Sequence, residues 1–473
     1  MRLGPVRAIA AHQLASYLRE WRVTAVTVLL LCLYGLSLWQ GWRNNELLSA
    51  ESANLQREER RRWLNQGAKF PHSAADQGIV TVQPLLGLAA FDPGLLPFAG
   101  SVCRLEGHHE DLCVFRPAAD ANFLFRFGPL SPARIVQVFV PLLMILLIYP
   151  VISAERESGI LKQILAAGVS GRELAAGKAM AAAMVLAPVF AVMCVVGPAL
   201  VAGNEWTRAI SLALGYLAYL TGLGGVFIAV AMRSAGTGSA FSWLASGWFV
   251  AAFLGPVIAS QLAAWLTPIP TPMEWTSNLK QRERSVPTVE ERRRAVRARL
   301  LEQYGLRNLR DLPVNPVGVE LVEEDQDFER IWGDEIGQLY GAYARQDRIY
   351  ASAGVLDPAL AIQMWSAAAA ETDNESRNRF RQAAEQYRHA LVLAMNDYLV
   401  HDPHYRTSPV FPGTDIIITT AGPELWASIP PFRYEIPRFD PLGRSVWIVA
   451  ALALWLFIGS AAAWVTAGTI KAV

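Results

Sequence analysis

Six stretches of this chain are apolar for about the ~20 residues a helix needs to cross a bilayer, and each is bounded by charge or by turn residues. They lie at Val23–Trp42, Ile135–Ser153, Ala179–Ala202, Ala209–Met232, Ala240–Leu266 and Ser445–Ala467. A chain with so many cannot hide them all in a water-soluble core. Composition agrees: 53% of the residues are hydrophobic, only 18% are charged and the mean hydropathy is +0.25. The expected fold class is a mainly α, polytopic membrane protein with six transmembrane helices and two large, mostly helical insertions. The first run is read as an uncleaved anchor, because it is longer than the ~7–15-residue apolar region of a signal peptide. It also ends in Trp39, Gln40, Gly41 and Trp42, an interfacial aromatic belt. With a net charge of +1 there is no electrostatic case for nucleic acid.

The short basic segments orient the helices. Arg2, Arg7, Arg19 and Arg22 in the N-terminal arm, Arg156, Lys162, Arg172 and Lys178 between spans two and three, Arg233 and Lys471 all fall on one side. The positive-inside rule makes that side cytoplasmic and puts both termini there. Residues 1–22 then form an interfacial helix on the arm's apolar set Val6, Ile9, Ala10, Leu14 and Leu18. Segments 43–134 and 267–444 become extracytoplasmic insertions.

The segment 154–178 stands out between two spans. Ile160, Leu161, Ile164 and Leu165 recur at helical spacing after an acidic start at Glu155 and Glu157, which predicts a short amphipathic helix. Gly168 stops it, and Ser170 caps a second helix that runs through Lys178 into the membrane.

In the insertions, Asn45 to Leu64 reads as helix, with the charge run from Arg57 to Arg62 on a solvated face. Pro84, Gly87, Pro93 and Gly94 mark loops. Thr288 and Glu291 form a capping box, Val317–Ala351 reads as helix with the acidic run Glu323–Asp327 exposed, and Pro358 opens an amphipathic run over Ala359–Leu399. That acidic run lacks the glycine and terminal glutamate of a calcium loop.

Of four cysteines, Cys32 and Cys194 lie inside spans as small apolar residues. Cys103 and Cys113 flank a short polar loop in what the topology makes an oxidising compartment, which favours a disulfide. A metal site on Cys103, His108, His109 and Cys113 is the alternative, although the spacing matches no zinc finger.

The absences narrow function further. No Asp, Glu, Lys, Arg or His sits mid-span, which disfavours a proton- or ion-coupled transporter. Gly171–Lys178 has one residue too many for a phosphate loop and Ala179 where Ser or Thr would hold magnesium, so the chain lacks its own ATP site. Neither a Gly-x-Ser-x-Gly elbow nor a His-Glu-x-x-His helix occurs, so hydrolase chemistry has no foothold.

Glu155, Arg156, Glu157, Gly159, Leu161, Ser170, Gly177 and Lys178 resemble the signature of the ABC-2 type permeases, where a Glu-Arg-Glu-x-Gly-Thr-Leu segment leads through Pro-x-Ser-Arg to Gly-Lys. Ile160, Gly168 and Gly171 replace that pattern's Thr, Pro and Arg. The segments Ala90–Phe98, Asp357–Gln363, Arg379–Leu391, Asn396–Leu399 and Pro430–Pro437 resemble a subgroup with large extracytoplasmic insertions, similar to the nitrous-oxide-reductase maturation permease. The resemblance implies a bacterial inner-membrane transporter subunit, an exporter, with no cofactor of its own. ATP and Mg would bind two copies of a cytoplasmic ABC ATPase, and the permease would pair with itself or with a related permease. It also implies an ATPase-coupling segment in which Glu155, Arg156, Glu157, Gly159, Leu161, Leu165, Ser170 and Lys178 take part, the acids meeting basic partner side chains or acting at their own helix N-terminus and Leu161 and Leu165 filling a partner groove. The alternative is a mechanotransmitting subunit that rearranges its external domains, or a periplasmic partner, while moving nothing across the membrane.

Overall fold

A computed structural model describes residues 1–107, 109–110, 130–402, 404–410 and 419–470. Among them, six helices are long and apolar enough to span a membrane: α2 (Trp21–Leu64), α4 (Pro132–Glu157), α6 (Gly171–Val201), α7 (Trp206–Arg233), α8 (Thr237–Leu266) and α16 (Pro441–Gly468, apolar from Val446). The largest core is where they pack, and α4 lies at its centre. Leu143, Ile145, Leu147 and Ile135 of α4 are no more than 1% exposed.

Proline and wide turns inside these helices free carbonyls that lipid cannot satisfy, so neighbouring helices must supply donors. Pro141 has no N–H to give the Gln137 carbonyl, which instead accepts from the Tyr219 hydroxyl at 2.9 Å. The Trp248 indole donates to Val138 O in the π-helical turn Ile135–Phe139, and the Tyr34 hydroxyl to Met193 O in that of Ala191–Val196. Helices α7 and α16 meet at glycines. A Cβ on Gly459 would sit 1.9 Å from Gly222 O, and one on Gly225 would sit 2.4 Å from Gly459 O, so the backbones touch there. Those glycines serve the interior of one chain.

At the basic end of the bundle lies α1 (Leu3–Arg19). It packs along α6, with Val6, Ala10 and Tyr17 buried and Ile9 against Gly177, while Leu18 is exposed. At the far end, α2 continues without a break for 44 residues, about 66 Å at ~1.5 Å per residue, so the first span and the Asn45–Leu64 helix are one rod. Its tip, Trp63, is sealed against Trp426 of α15 (Pro423–Ser428) and against α14 (Asn374–His401) and α3 (Pro71–Gln77). The charge run on this rod is partly engaged: Arg62 pairs with Glu59, and Arg60 donates to Ile429 O. A three-stranded antiparallel sheet, β1 (Ile79–Val82), β2 (Val102–Glu106) and β3 (His109–Glu110), packs Cys103 and Leu105 against Phe380 and Ala384 of α14.

Helices α9 (Pro272–Glu283), α10 (Val289–Tyr304), α11 (Pro316–Phe328) and α12 (Asp334–Ser352) follow, with the π-helical turn Glu329–Gly333 joining the last two. Thr288 and Glu291 do form the capping box of α10. The acidic run does not face solvent as expected. Asp325 is 2% exposed, and Arg292 ties α10 to Glu324 and Asp327 of α11.

The expected long helix over Ala359–Leu399 is two helices. Glu371 adopts a left-handed conformation (φ 61°) and ends α13 (Pro358–Ala370) before Asp373 caps α14. The consequence for the fold is large, because α12 and α13 form a hairpin that inserts between the spans. Gln346 donates to Thr267 O just past the end of α8, Asp357 lies against Gly255, and the Trp455 indole of α16 donates to Gly354 O at 3.3 Å. Gly255 is about 16 Å along α8 from Leu266 at ~1.5 Å per residue, so the hairpin tip reaches roughly half of a ~30 Å hydrocarbon core. The segment 267–444 therefore does not stand wholly outside the spans. The hairpin brings Asp357, which belongs to none of the six spans, to that depth, where it is buried and its Oδ2 has no hydrogen-bond partner.

Candidate coupling site at the basic end

Helix α4 runs on through Glu155, Arg156 and Glu157 and ends there, so these acids close a membrane helix and do not open the short one. Gly159, left-handed at φ 76°, makes the corner, and α5 (Ile160–Ala166) follows. Gly168 (φ 80°) makes the second corner. Ser170 then caps α6 reciprocally with Glu173: the Glu173 N–H donates to Ser170 Oγ and the Ser170 N–H to Glu173 Oε2, at 3.3 and 3.0 Å.

A carboxylate at a helix C-terminus is repelled by the helix dipole, so each acid here needs a partner elsewhere. Glu155 finds Lys178, 23 residues on in α6, and the same ammonium donates to Gln13 of α1 at 2.7 Å. Lys178 is 5% exposed. Glu157 reaches the start of α8, accepting from Thr237 N–H at 2.8 Å and from its hydroxyl at 3.0 Å, where a helix N-terminus favours a negative charge. Between them Arg156 donates to the last carbonyls of α7, Met232 O at 2.7 Å and Ser234 O. Arg2 closes the arm onto the same body through Glu173 and Gly168 O.

The Glu-Arg-Glu triplet thus clasps α4 to α6, α7 and α8. Each of its side chains holds a partner within the chain, while Glu155 Oε2 makes no hydrogen bond and Glu157 is exposed. Leu161 is 1% exposed in the chain's own core, and Ile164 and Leu165, partly buried, pack on that core. What α5 leaves outward is Ile160, Lys162, Gln163 and Ala166, beside Ala167 and Gly168. Sequence reasoning missed Arg2, Gln13, Glu173 and Thr237. The spacing Ser170-x-x-Glu173 signalled one of them, whereas contacts across the bundle leave no local pattern.

A second feature lies at the far end. A cavity of about 1050 Å³ is bounded by the α12–α13 hairpin, the start of α4, the end of α8 and the start of α16. Tyr350, Met364 and Trp447 line it, with Asp347, Arg134 and Asp373. At its inner edge the Gln137 amide donates to the Tyr216 hydroxyl at 2.9 Å, and that hydroxyl donates to Ser366 Oγ at 3.1 Å, which gives the spans a buried polar seam.

Cys32 and Cys194 are free. Cys103 is 2% exposed on β2, whereas Cys113, His108 and the side chain of His109 lie outside the described residues. The expected disulfide and the alternative metal set both include residues outside the described ones.

The chain matches two family models. One, described as a domain of unknown function (DUF3526), covers residues 277–435, which take in α10 to α15 and the inserted hairpin. The other, described as ABC-2 family transporter protein, covers residues 7–283 with the clasp and the first five spans. No curated protein and no solved structure matches the chain. The second match takes in more than half of the sequence: this chain belongs to the ABC-2 transporter family and is the multi-pass membrane subunit of an ATP-binding cassette transporter.

Proposed function

We propose that this subunit takes up the work of a separate cytoplasmic ATPase at α5 and uses it to move a substrate outward across a bacterial inner membrane. The observation that carries the reading is the clasp. Helix α5 presents an exposed face, yet its two flanking corners are tied by Glu155–Lys178, Glu157–Thr237 and Arg156–Met232 to four spans at once. A push on that face is then delivered to α4, α6, α7 and α8 together. In this reading both termini are cytoplasmic, two ATPase copies bind ATP and Mg, and a second permease completes the pathway. The far-end cavity receives the substrate, and a Cys103–Cys113 disulfide braces the first insertion.

The test is ATPase stimulation in the assembled complex. Reversing polarity on the exposed face of α5 (Ile160→Glu with Gln163→Glu) is expected to abolish transport-linked ATP hydrolysis in a protein that still purifies with its spans intact. Full stimulation by that variant would remove α5 from the contact.

A second reading is favoured by the unbroken rod α2. Because one helix joins the first span to the sealed Trp63–Trp426 contact, span tilting is transmitted to the far-end domain whether or not a substrate crosses. ATP-dependent accumulation in inverted vesicles separates the two, since a pure transmitter accumulates nothing.

A further inference from the structure

We infer that the far-end helical domain carries a binding site for a divalent transition-metal ion with zinc-like, tetrahedral preference, formed by Asp325, Glu329 and His389. Asp325 and Glu329 are one helical turn apart and share a face, the second of them opening the π-helical turn Glu329–Gly333. Helix α14 brings His389 against that face. One donor atom from each of the three lies within 4.8 Å of the others. The imidazole Nδ1 is 3.6 Å from Asp325 Oδ2 and 3.4 Å from Glu329 Oε1.

Those separations carry the argument. Ligand atoms around a tetrahedral ion at ~2.0–2.2 Å stand about 3.3–3.6 Å from one another. A protonated imidazole drawn onto a carboxylate would close to about 2.7–2.9 Å. Here Nδ1 keeps the longer distance from both carboxylates, and although that atom is buried it makes no hydrogen bond.

The surroundings suit a cation. Glu329 and Glu385 share Arg388, so two carboxylates meet one guanidinium beside the imidazole. Arg388 fixes the Glu329 carboxylate from outside the trio, itself held by Gly107 O at 3.0 Å and stacked over Phe328. Asp325 closes the inner side, while the partial exposure of Glu329 and His389 leaves room for water as a fourth ligand. An ion there would pin α11 to α14.

The test uses full-length detergent-solubilised protein, stripped with EDTA and desalted. Zinc is titrated against a chromogenic chelator, and Co(II) is added separately as a spectroscopic probe. The wild type is expected to bind one zinc per chain more than His389→Gln or Asp325→Asn, and its Co(II) complex to show the intense visible absorption of tetrahedral coordination. Cys103→Ser/Cys113→Ser is expected to keep that zinc. The proposal is overturned if folded His389→Gln, judged by gel filtration and melting, binds as much zinc as wild type. A weak, six-coordinate Co(II) spectrum would overturn it too, even if neither variant folds, as would loss of the zinc with the cysteines. Absence of zinc from the wild type would overturn it as well.

Discussion

Asp357 rests against Gly255 about halfway along the fifth span, and a methyl group placed on that glycine would stand 2.1 Å from its carboxylate Oδ2. A side chain at position 255 therefore fits only if the Asp357 carboxylate moves away. Gly255→Ala is expected to cost about 1–3 kcal/mol, the usual range for overpacking. Asp357→Ala removes the obstructing carboxylate, so Gly255→Ala/Asp357→Ala should lose less than the sum of the two single changes. Thermal melting of the four proteins in one detergent measures this; strict additivity would mean that the two residues do not meet.

The Glu155–Lys178 pair makes a different demand. Both side chains are largely buried where α4 and α6 leave the bundle, so either charge alone is stranded there. Removing one partner of a buried pair typically costs ~3–5 kcal/mol, whereas replacing both by apolar groups is often close to neutral. Lys178→Met and Glu155→Gln should each lower the melting temperature sharply, and Lys178→Met/Glu155→Met should recover most of the loss. If coupling depends on the mechanical tie and not on the charges, the double variant also keeps ATPase stimulation.

Glu157 acts as an N-cap supplied from another helix. Glu157→Ala leaves the Thr237 N–H without its acceptor and should cost about 1 kcal/mol, in the range of lost N-caps. Glu157→Asp is too short to span the same gap and should behave like the alanine variant. Amide exchange at Thr237–Ala240 is the readout, since faster exchange confined to that turn identifies a lost cap.

The spans were legible because a 20-residue apolar run has few other fates in water, and the corners at Gly159, Gly168 and Ser170 because those residue types mark helix ends locally. The clasp was only half legible. Glu155 and Glu157 announced themselves as charge beside a membrane, but their partners Lys178 and Thr237 are set by packing, and α4 runs past the point where polarity suggested a new helix. The hairpin was missed for a related reason. Pro358–Ala370 is 13 residues, too short to span, and was read on through Glu371, whose left-handed backbone no propensity predicts. A short apolar helix behind Asp-Pro in a membrane protein is the re-entrant signal the sequence did contain.

Capping makes one stretch of the far-end domain pH-sensitive. The Thr288 N–H (2.9 Å) and hydroxyl (2.8 Å) hold the Glu291 carboxyl below its ordinary range. Depression favours the ionised form in the folded state, so the stabilisation is complete above the unfolded value, ~4.3, and is lost as pH falls through the folded one. Protection of the first turn of α10 should drop in that window after correction for intrinsic exchange. Glu291→Gln, which has no proton to gain, should show no such drop.

The rod α2 makes the choice between carrying and transmitting experimental. Trp63 ends it in a fully buried seat, donating its indole N–H to Trp426 O while Trp426 donates to Gly67 O, each at 2.9 Å, with the rings edge to face at 5.7 Å. Trp63→Ala should cost the local domain about 3–5 kcal/mol, as other buried aromatics do, and free the tip of the rod while leaving the spans and the clasp untouched. Trp63→Phe keeps most of the packing and loses only the hydrogen bond. If the subunit transmits force, the alanine variant should retain ATPase stimulation but lose nucleotide-dependent changes in far-end amide exchange, and the phenylalanine variant should keep both. If the subunit carries a substrate between the spans, vesicle accumulation should survive Trp63→Ala, because the path then runs beside α7 and the hairpin and not through the rod.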